Sequence, residues 1–194
     1  MTEQEILMNP NPLVRFLKKP AAEFTKADII SYIETNNIQM LNFRYAGGDG
    51  RLKALSFVIN NKSYLEEILT VGERVDGSSL FKNVQAGSSD LYVVPRFKTA
   101  FHNPFSEIPT LDILCAYFDK DGNPLEFAPQ YILKKAHEEL KEKTGLSFQT
   151  MGELEYYIIS EDEMLFPAVD QKGYHESGPF SKWGEFRNQA MQYI

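Results

Sequence analysis

Leu111-Asp112-Ile113-Leu114-Cys115-Ala116-Tyr117-Phe118 is a nearly continuous apolar run. It is far too short to cross a membrane as a helix and has the pattern of a strand buried on both faces. The neighbouring segments supply the rest of a sheet. Downstream, Lys120-Asp121-Gly122-Asn123-Pro124 is a turn. A helix is expected from Gln130 to about Lys143. There Leu133, Ala136 and Leu140 share one face, Glu138 and Glu142 lie on the other, and Gly145 closes it. Upstream, 96–109 reads as irregular, with Pro104 and Pro109. Leu91–Pro95 reads as a short strand, 74–90 as a long loop rich in Gly and Ser, and Leu65–Leu69 as a short helix. Met40–Tyr45 and Leu52–Ile59 read as strands joined at Gly47-Gly48-Asp49-Gly50, a hairpin signal. Residues 25–37 have a helical pattern. Thr25 with Asp28 forms a capping box, Ile29, Ile30 and Ile33 make the apolar face, and Asn36-Asn37 stops it.

Residues 1 to about 20 read as an irregular arm broken by Pro10, Pro12 and Pro20. Toward the other end, Leu146–Phe148 and Gly152–Ser160 read as strands, followed by a charged turn at Glu161-Asp162-Glu163. Lys182–Ile194 reads as the opening of a helix, with Trp183, Phe186, Ala190 and Met191 at helical spacing. No cap or breaker follows, so the fold is expected to continue past this sequence.

Composition narrows the function. The 194 residues carry 20 Lys and Arg against 27 Asp and Glu, a net charge of −7. No basic surplus is available for a phosphate backbone or an anionic membrane surface. Apolar residues at 43% and aromatics at 13% are enough for a core, and 12 glycines with 10 prolines are too few for a fibrous chain. Cys115 is the single cysteine, which rules out an intrachain disulfide and fits a reducing cytoplasm. The N-terminus lacks the pattern of a signal peptide.

The sharpest chemistry lies in Gly152-Glu153-Leu154-Glu155. On a strand, positions i and i+2 face one way, so Glu153 and Glu155 would set two carboxylates side by side. A hard cation such as magnesium or manganese suits that pair. An exposed strand edge carrying alternating glutamates is the plainer reading. Asp76-Gly77-Ser78-Ser79, with Ser88-Ser89-Asp90 downstream, offers a carboxylate among backbone and hydroxyl donors. Locally, it also fits an Asx-turn. Asp119, Asp121 and Asn123 hint at calcium, but the glycine and the distal Glu of a calcium loop are missing. His102, His137 and His175 are scattered without ligand spacing.

In order along the chain, these pieces resemble the first part of a glutamine synthetase. The resemblance rests on Asp76-Gly77-Ser78-Ser79, Ser89-Asp90, Pro95, Thr99-Ala100, Pro104-Phe105, Pro109-Thr110-Leu111, Cys115 and the turn at Asp119, Gly122 and Pro124. It continues through Pro129, the Gly152-x-Glu-x-Glu segment, Gly173-Tyr174 and Pro179 through Arg187. It is collinear over roughly residues 20–194. Departures are Leu80-Phe81-Lys82-Asn83 after the loop, Ser88 in place of an acidic residue, and Gln130 where an arginine is common.

The resemblance implies an α+β chain: an arm at 1–20, a ubiquitin-like β-grasp domain at 21–110, and the incomplete opening of the catalytic α+β domain at 111–194. It implies ATP-dependent ligation of ammonia to glutamate through a γ-glutamyl phosphate. Magnesium or manganese is the implied cofactor and ATP the co-substrate. Glu155 would hold the substrate-side ion and Glu153 the ion bridging ATP phosphates. Asp76 would bind ammonium and take its proton, with Asp90 in support. The implied assembly is a homo-oligomeric ring with active sites between subunits. This stretch by itself is expected to be inactive. Two other expectations stay open: a related ligase using a larger amine, and a short non-catalytic module that docks on a full-length synthetase.

Overall fold

A computed structural model describes residues 1–85, 87, 89–159 and 182–193. Two compact units are present, Met1–Phe148 and Gln149–Ile194. The first is built on a six-stranded sheet. Its strands are β1 (Met40–Ala46), β2 (Leu52–Val58), β3 (Glu73–Asp76), β4 (Asp90–Pro95), β5 (Phe101–His102) and β6 (Thr110–Phe118). The order is β2-β1-β6-β4-β3, with β5 also paired to β6. β1 and β6 run parallel, Leu41 opposite Leu111, and every other pairing is antiparallel.

The apolar run becomes β6, the strand on which the sheet is assembled. Its first half is buried on both faces, Thr110 through Ile113. From Leu114, 38% exposed, only alternate residues are buried. The two-sided burial expected for the whole run therefore holds for half of it. Leu41, Phe43 and Tyr45 of β1 point to one side with Phe57 of β2, and Phe43 meets Phe57 edge-on at 5.0 Å. That side is covered by α3 (Lys26–Thr35) through Ile29, Ile30 and Ile33, and by α4 (Lys62–Val71) through Leu65, Ile68 and Leu69. The capping box at Thr25 forms, with Asp28 Oδ2 accepting from the Thr25 amide at 2.7 Å.

The N-terminal residues are not an irregular arm. They form α1 (Glu3–Leu7) and α2 (Pro12–Leu17). Thr2 and Glu5 make a capping box, and Asn11 caps α2 just before Pro12. Proline at the first helical position favours a helix start instead of breaking one. Leu13 and Val14 bury in the core, and Asn11 Nδ2 donates to the Ala100 carbonyl at 2.9 Å. The boundary expected at 110 falls at the start of β6, whose pairing with β1 and β4 ties it to the strands before it; the compact unit runs on to Phe148. The expected helix after the turn is α6 (Pro129–Thr144), closed by Gly145 in the left-handed region (φ 73°). Its expected apolar face stays exposed at Leu133.

No strand occurs at 146–148 or 152–159 among the described residues. Without a neighbouring strand, a β-favouring sequence has no ladder to join. The second unit contains α7 (Gly184–Tyr193), where Trp183 and Tyr156 each lie edge-on to Phe186. No helix among the described residues is long and apolar enough to cross a membrane. Glu161–Glu163, Gly173-Tyr174, His175 and Pro179 lie outside the described residues, as does Ser88.

Cys115 sits in the core and burial pushes its thiol well above the usual range. Only the thiolate reacts appreciably. A thiol reagent at pH 8 should therefore label the native chain at least about tenfold more slowly than the urea-unfolded chain. Equal rates would place the thiol at the surface.

Candidate functional site

The first part of the segment read as a loop at 74–90 is regular structure, β3 running directly into a short helix over Gly77–Leu80. Gly72 turns the chain out of α4 (φ 75°) into β3, which pairs antiparallel with β4 in a register that sets Asp76 opposite Asp90. Directly opposed residues on adjacent strands carry their Cβ atoms about 5 Å apart. The structure thus brings together two residues that lie fourteen positions apart in the sequence. α5 (Gly77–Leu80) follows at once, with Asp76 as its N-cap.

The carboxylate of Asp76 is heavily engaged. Its Oδ1 accepts from the Ser78 amide at 3.0 Å and the Ser78 hydroxyl at 2.7 Å, and its Oδ2 accepts from the Ser79 hydroxyl at 2.6 Å. These donors, with the Ser89 hydroxyl, hold it far below the usual carboxylate range although it is solvent-exposed. Asp90 is treated differently: Arg74 Nη1 reaches its Oδ2 at 3.3 Å, an exposed pair of little energetic weight.

The loop is anchored on three sides. The Gly77 amide donates to the Ser89 carbonyl at 2.7 Å, and a Cβ at Gly77 would stand 2.8 Å from that oxygen and 2.6 Å from Leu91 Cδ1. The β1–β2 hairpin tip reaches over, its Gly48 amide donating to the Leu80 carbonyl at 2.9 Å. Phe81 plugs into the core edge-on to Tyr117 at 5.1 Å and Phe127 at 5.3 Å. The substitution at Phe81 is therefore spent on packing. Beside Asp90 lies an open cavity of about 740 Å³, its walls including Asn83, Val84, Gln85, Asp119, Asp121 and Phe127.

Glu153 and Glu155 belong to the second unit, where both are exposed and outside any strand. The side-by-side display expected from a strand is not formed. Two carboxylates suit a hard cation in kind, but magnesium takes about six ligands. No cluster of three or more His, Cys, Asp or Glu that could hold a metal occurs among the described residues. Two carboxylates alone are too few for a complete magnesium site.

The remaining candidates resolve into structure. Asp119 Oδ1 accepts from the amides of Asp121 at 2.9 Å and Asn123 at 2.8 Å, which makes a turn. His102 Nδ1 lies 3.0 Å from the Tyr32 hydroxyl. Gln130 leaves its Oε1 buried without a hydrogen-bond partner. Sequence reading overlooked Asp112, which is 1% exposed. It accepts from Asn42 Nδ2 at 2.8 Å, Arg44 Nε at 2.6 Å and Asn103 Nδ2 at 3.3 Å. Its signal was a lone carboxylate inside an apolar run, with Asn42 and Arg44 at the polar positions of β1.

Residues 37–120 match the family model described as the beta-grasp domain of glutamine synthetase. The glutamine synthetase of Methanococcus maripaludis is 26% identical over 169 residues, 84% of this chain and 38% of that protein. A protein named 3-hydroxylaminophenol mutase from Cupriavidus pinatubonensis is 28% identical over 174 residues, 84% of this chain and 35% of its own length. A solved glutamine synthetase from Plasmodium falciparum matches with a TM-score of 0.55 at 20% identity, over 64% of this chain and 24% of that one. The chain thus spans well under half the length of these relatives.

Proposed function

We propose that this chain, whose residues 37–120 match the beta-grasp domain of glutamine synthetase, forms the N-terminal part of an ATP-dependent glutamate–ammonia ligase. In that reaction ATP phosphorylates the side-chain carboxylate of glutamate, and ammonia displaces the phosphate. The observation that carries the reading is the Asp76-Gly77-Ser78-Ser79 loop, which presents an ionised carboxylate at the surface beside Asp90. An exposed anion held in a fixed orientation attracts ammonium and orients its N–H groups.

Glu153 and Glu155 would provide two ligands for a divalent cation. Such an ion, when bound, neutralises charge on phosphate and carboxylate oxygens. The family assembly suggests a homo-oligomeric ring in which the exposed Asp76 loop serves a neighbouring subunit's active site. This stretch alone should not turn over. Purified chain supplied with glutamate, ammonium, ATP and magnesium should make no glutamine, and clear turnover would overturn that reading.

In a protein carrying this sequence together with a complete catalytic domain, Asp76→Ala should spare glutamate-dependent release of phosphate from ATP. It should raise the ammonium KM by about tenfold or more, the loss of one charge-assisted contact. Equal loss of both activities would mean that the loop is only structural.

The cavity beside Asp90 favours a second reading. Its wall carries Asp90, Asp119 and Asp121 with Lys120, which pairs with Asp121, and apolar Val84, Leu91 and Phe127; the apolar side has room for the carbon chain of an amine larger than ammonia. Comparing ammonium with alkylamines and polyamines as acceptors separates the two readings.

A further inference from the structure

Asp-Gly occurs three times in the sequence, at Asp49-Gly50, Asp76-Gly77 and Asp121-Gly122. This dipeptide carries its own chemistry. The glycine amide nitrogen lies close to the preceding side-chain carboxyl, and no Cβ shields it. A five-membered ring can close between the two.

The fold treats the three pairs differently. At Asp76 the ring cannot close without dismantling the loop. Both carboxylate oxygens are held by Ser78 and Ser79, and the amide of buried Gly77 donates to the Ser89 carbonyl at 2.7 Å. At the hairpin tip, Asp49 Oδ1 accepts from the Arg51 amide at 3.1 Å and Oδ2 from Lys53 Nζ at 2.8 Å. These donors also keep both carboxyls ionised, below the usual range, whereas ring closure expels water most easily from a protonated carboxyl. Asp121 has no backbone tether on its side chain among the described residues. Its carboxylate meets Lys120 Nζ at 3.0 and 3.1 Å, and both side chains are largely exposed. The Gly122 amide makes one 3.1 Å bond, to the Asp119 carbonyl, and the space around its Cα is open.

We propose that Asp121-Gly122 is a site of spontaneous backbone isomerisation, which the native fold leaves open while it closes Asp76-Gly77 and slows Asp49-Gly50. The Gly122 nitrogen attacks the side-chain carboxyl carbon of Asp121. A carbon–nitrogen bond forms, the carboxyl hydroxyl and the amide hydrogen leave as one water, and a succinimide results. Water then adds to either ring carbonyl and breaks the ring bond from that carbon to nitrogen. Addition at the side-chain carbon restores aspartate. Addition at the main-chain carbon breaks the original peptide bond and leaves the chain running through the Asp121 side chain. One water leaves and one returns, so no oxidant or other reactant is required. The product lengthens the turn by a methylene. Asp119 Oδ1 can then no longer accept from the Asp121 and Asn123 amides in the spacing that now gives 2.9 and 2.8 Å. Asp119 and Asp121 are wall residues of the cavity beside Asp90, so that wall changes shape.

The test holds the 194-residue chain at 37 °C and neutral pH for several weeks, native in one arm and unfolded in guanidinium chloride in the other. Peptides spanning the three pairs are then separated. An isomerised peptide keeps its mass, elutes apart from its parent and resists an endoprotease that cuts before aspartate. In the native arm the Asp121 peptide should convert at least about tenfold faster than the Asp76 peptide, the protection that even modest local structure confers. The Asp49 peptide should fall between them. In guanidinium the three rates should converge. In native Asp121→Glu, whose ring would need six members, conversion at this turn should vanish while that at Asp49 is unchanged. Native conversion at Asp121 no faster than at Asp76 overturns the proposal. So does an order of rates that persists in guanidinium, because flanking sequence and not the fold would then set it.

Discussion

Arg44→Ala should destabilise the first unit by about 3 kcal/mol, read as a lower urea midpoint with an unchanged slope. Asp112 is 1% exposed and its Oδ2 takes a 2.6 Å bond from Arg44 Nε. Removing one partner of a buried pair leaves a charge in a medium that solvates it poorly, at about 3–5 kcal/mol. The lower end applies because the Arg44 side chain is 27% exposed and Asn42 and Asn103 still donate to the carboxylate. Replacing both residues, Arg44→Met with Asp112→Leu, should recover at least half of the loss, because no charge is then stranded. If the double variant is no more stable than the single one, lost packing and not the unpaired charge is the cause. Circular dichroism is the suitable probe, since Trp183, the only tryptophan, lies in the other unit.

Gly72→Ala should cost a similar amount, about 3–4 kcal/mol, by a different route. Gly72 has φ 75° and ψ −160°, a region reserved for glycine at a cost of about 1–3 kcal/mol for other residues. A Cβ there would also stand 2.3 Å from the Val93 carbonyl oxygen and 3.0 Å from Val94 Cα. Both atoms are backbone of β4 and cannot swing aside. Relief requires β3 to part from β4, which would pull Asp76 away from Asp90. Hydrogen exchange should therefore show protection lost first at Glu73–Asp76, with the β1–β2 ladder retained. Uniform loss across the sheet would mean that the strain is not confined to this junction.

Much of the β-grasp sheet was legible because its strands carry period-two burial and its helices carry caps. Thr25 with Asp28, the glycines of the β1–β2 hairpin and Gly145 each specify a local geometry that any context would favour. The failures share one cause: tertiary partners decided them. Pro12 reads as a breaker until Asn11 caps the turn and Leu13 finds the core. Residues 152–159 are β-favouring by composition, yet no strand lies beside them among the described residues. At the candidate site, Asp76 and Ser79 were visible as a motif. The antiparallel register that sets Asp76 across from Asp90 was not, because pairing between strands leaves no trace in either strand alone.

β6 also dictates when this protein can fold. Its first half pairs with β1, some seventy residues earlier, and its second half with β4. At a synthesis rate of about 5–20 residues per second, the β1–β2 hairpin waits several seconds on the ribosome before its parallel neighbour exists. A two-stranded hairpin is marginal alone, so until residue 118 emerges the chain holds two half-sheets with open edges. Association of those halves by so distant a contact sets a slow step in maturation. Nascent chains stopped short of β6 are the species that a chaperone would meet.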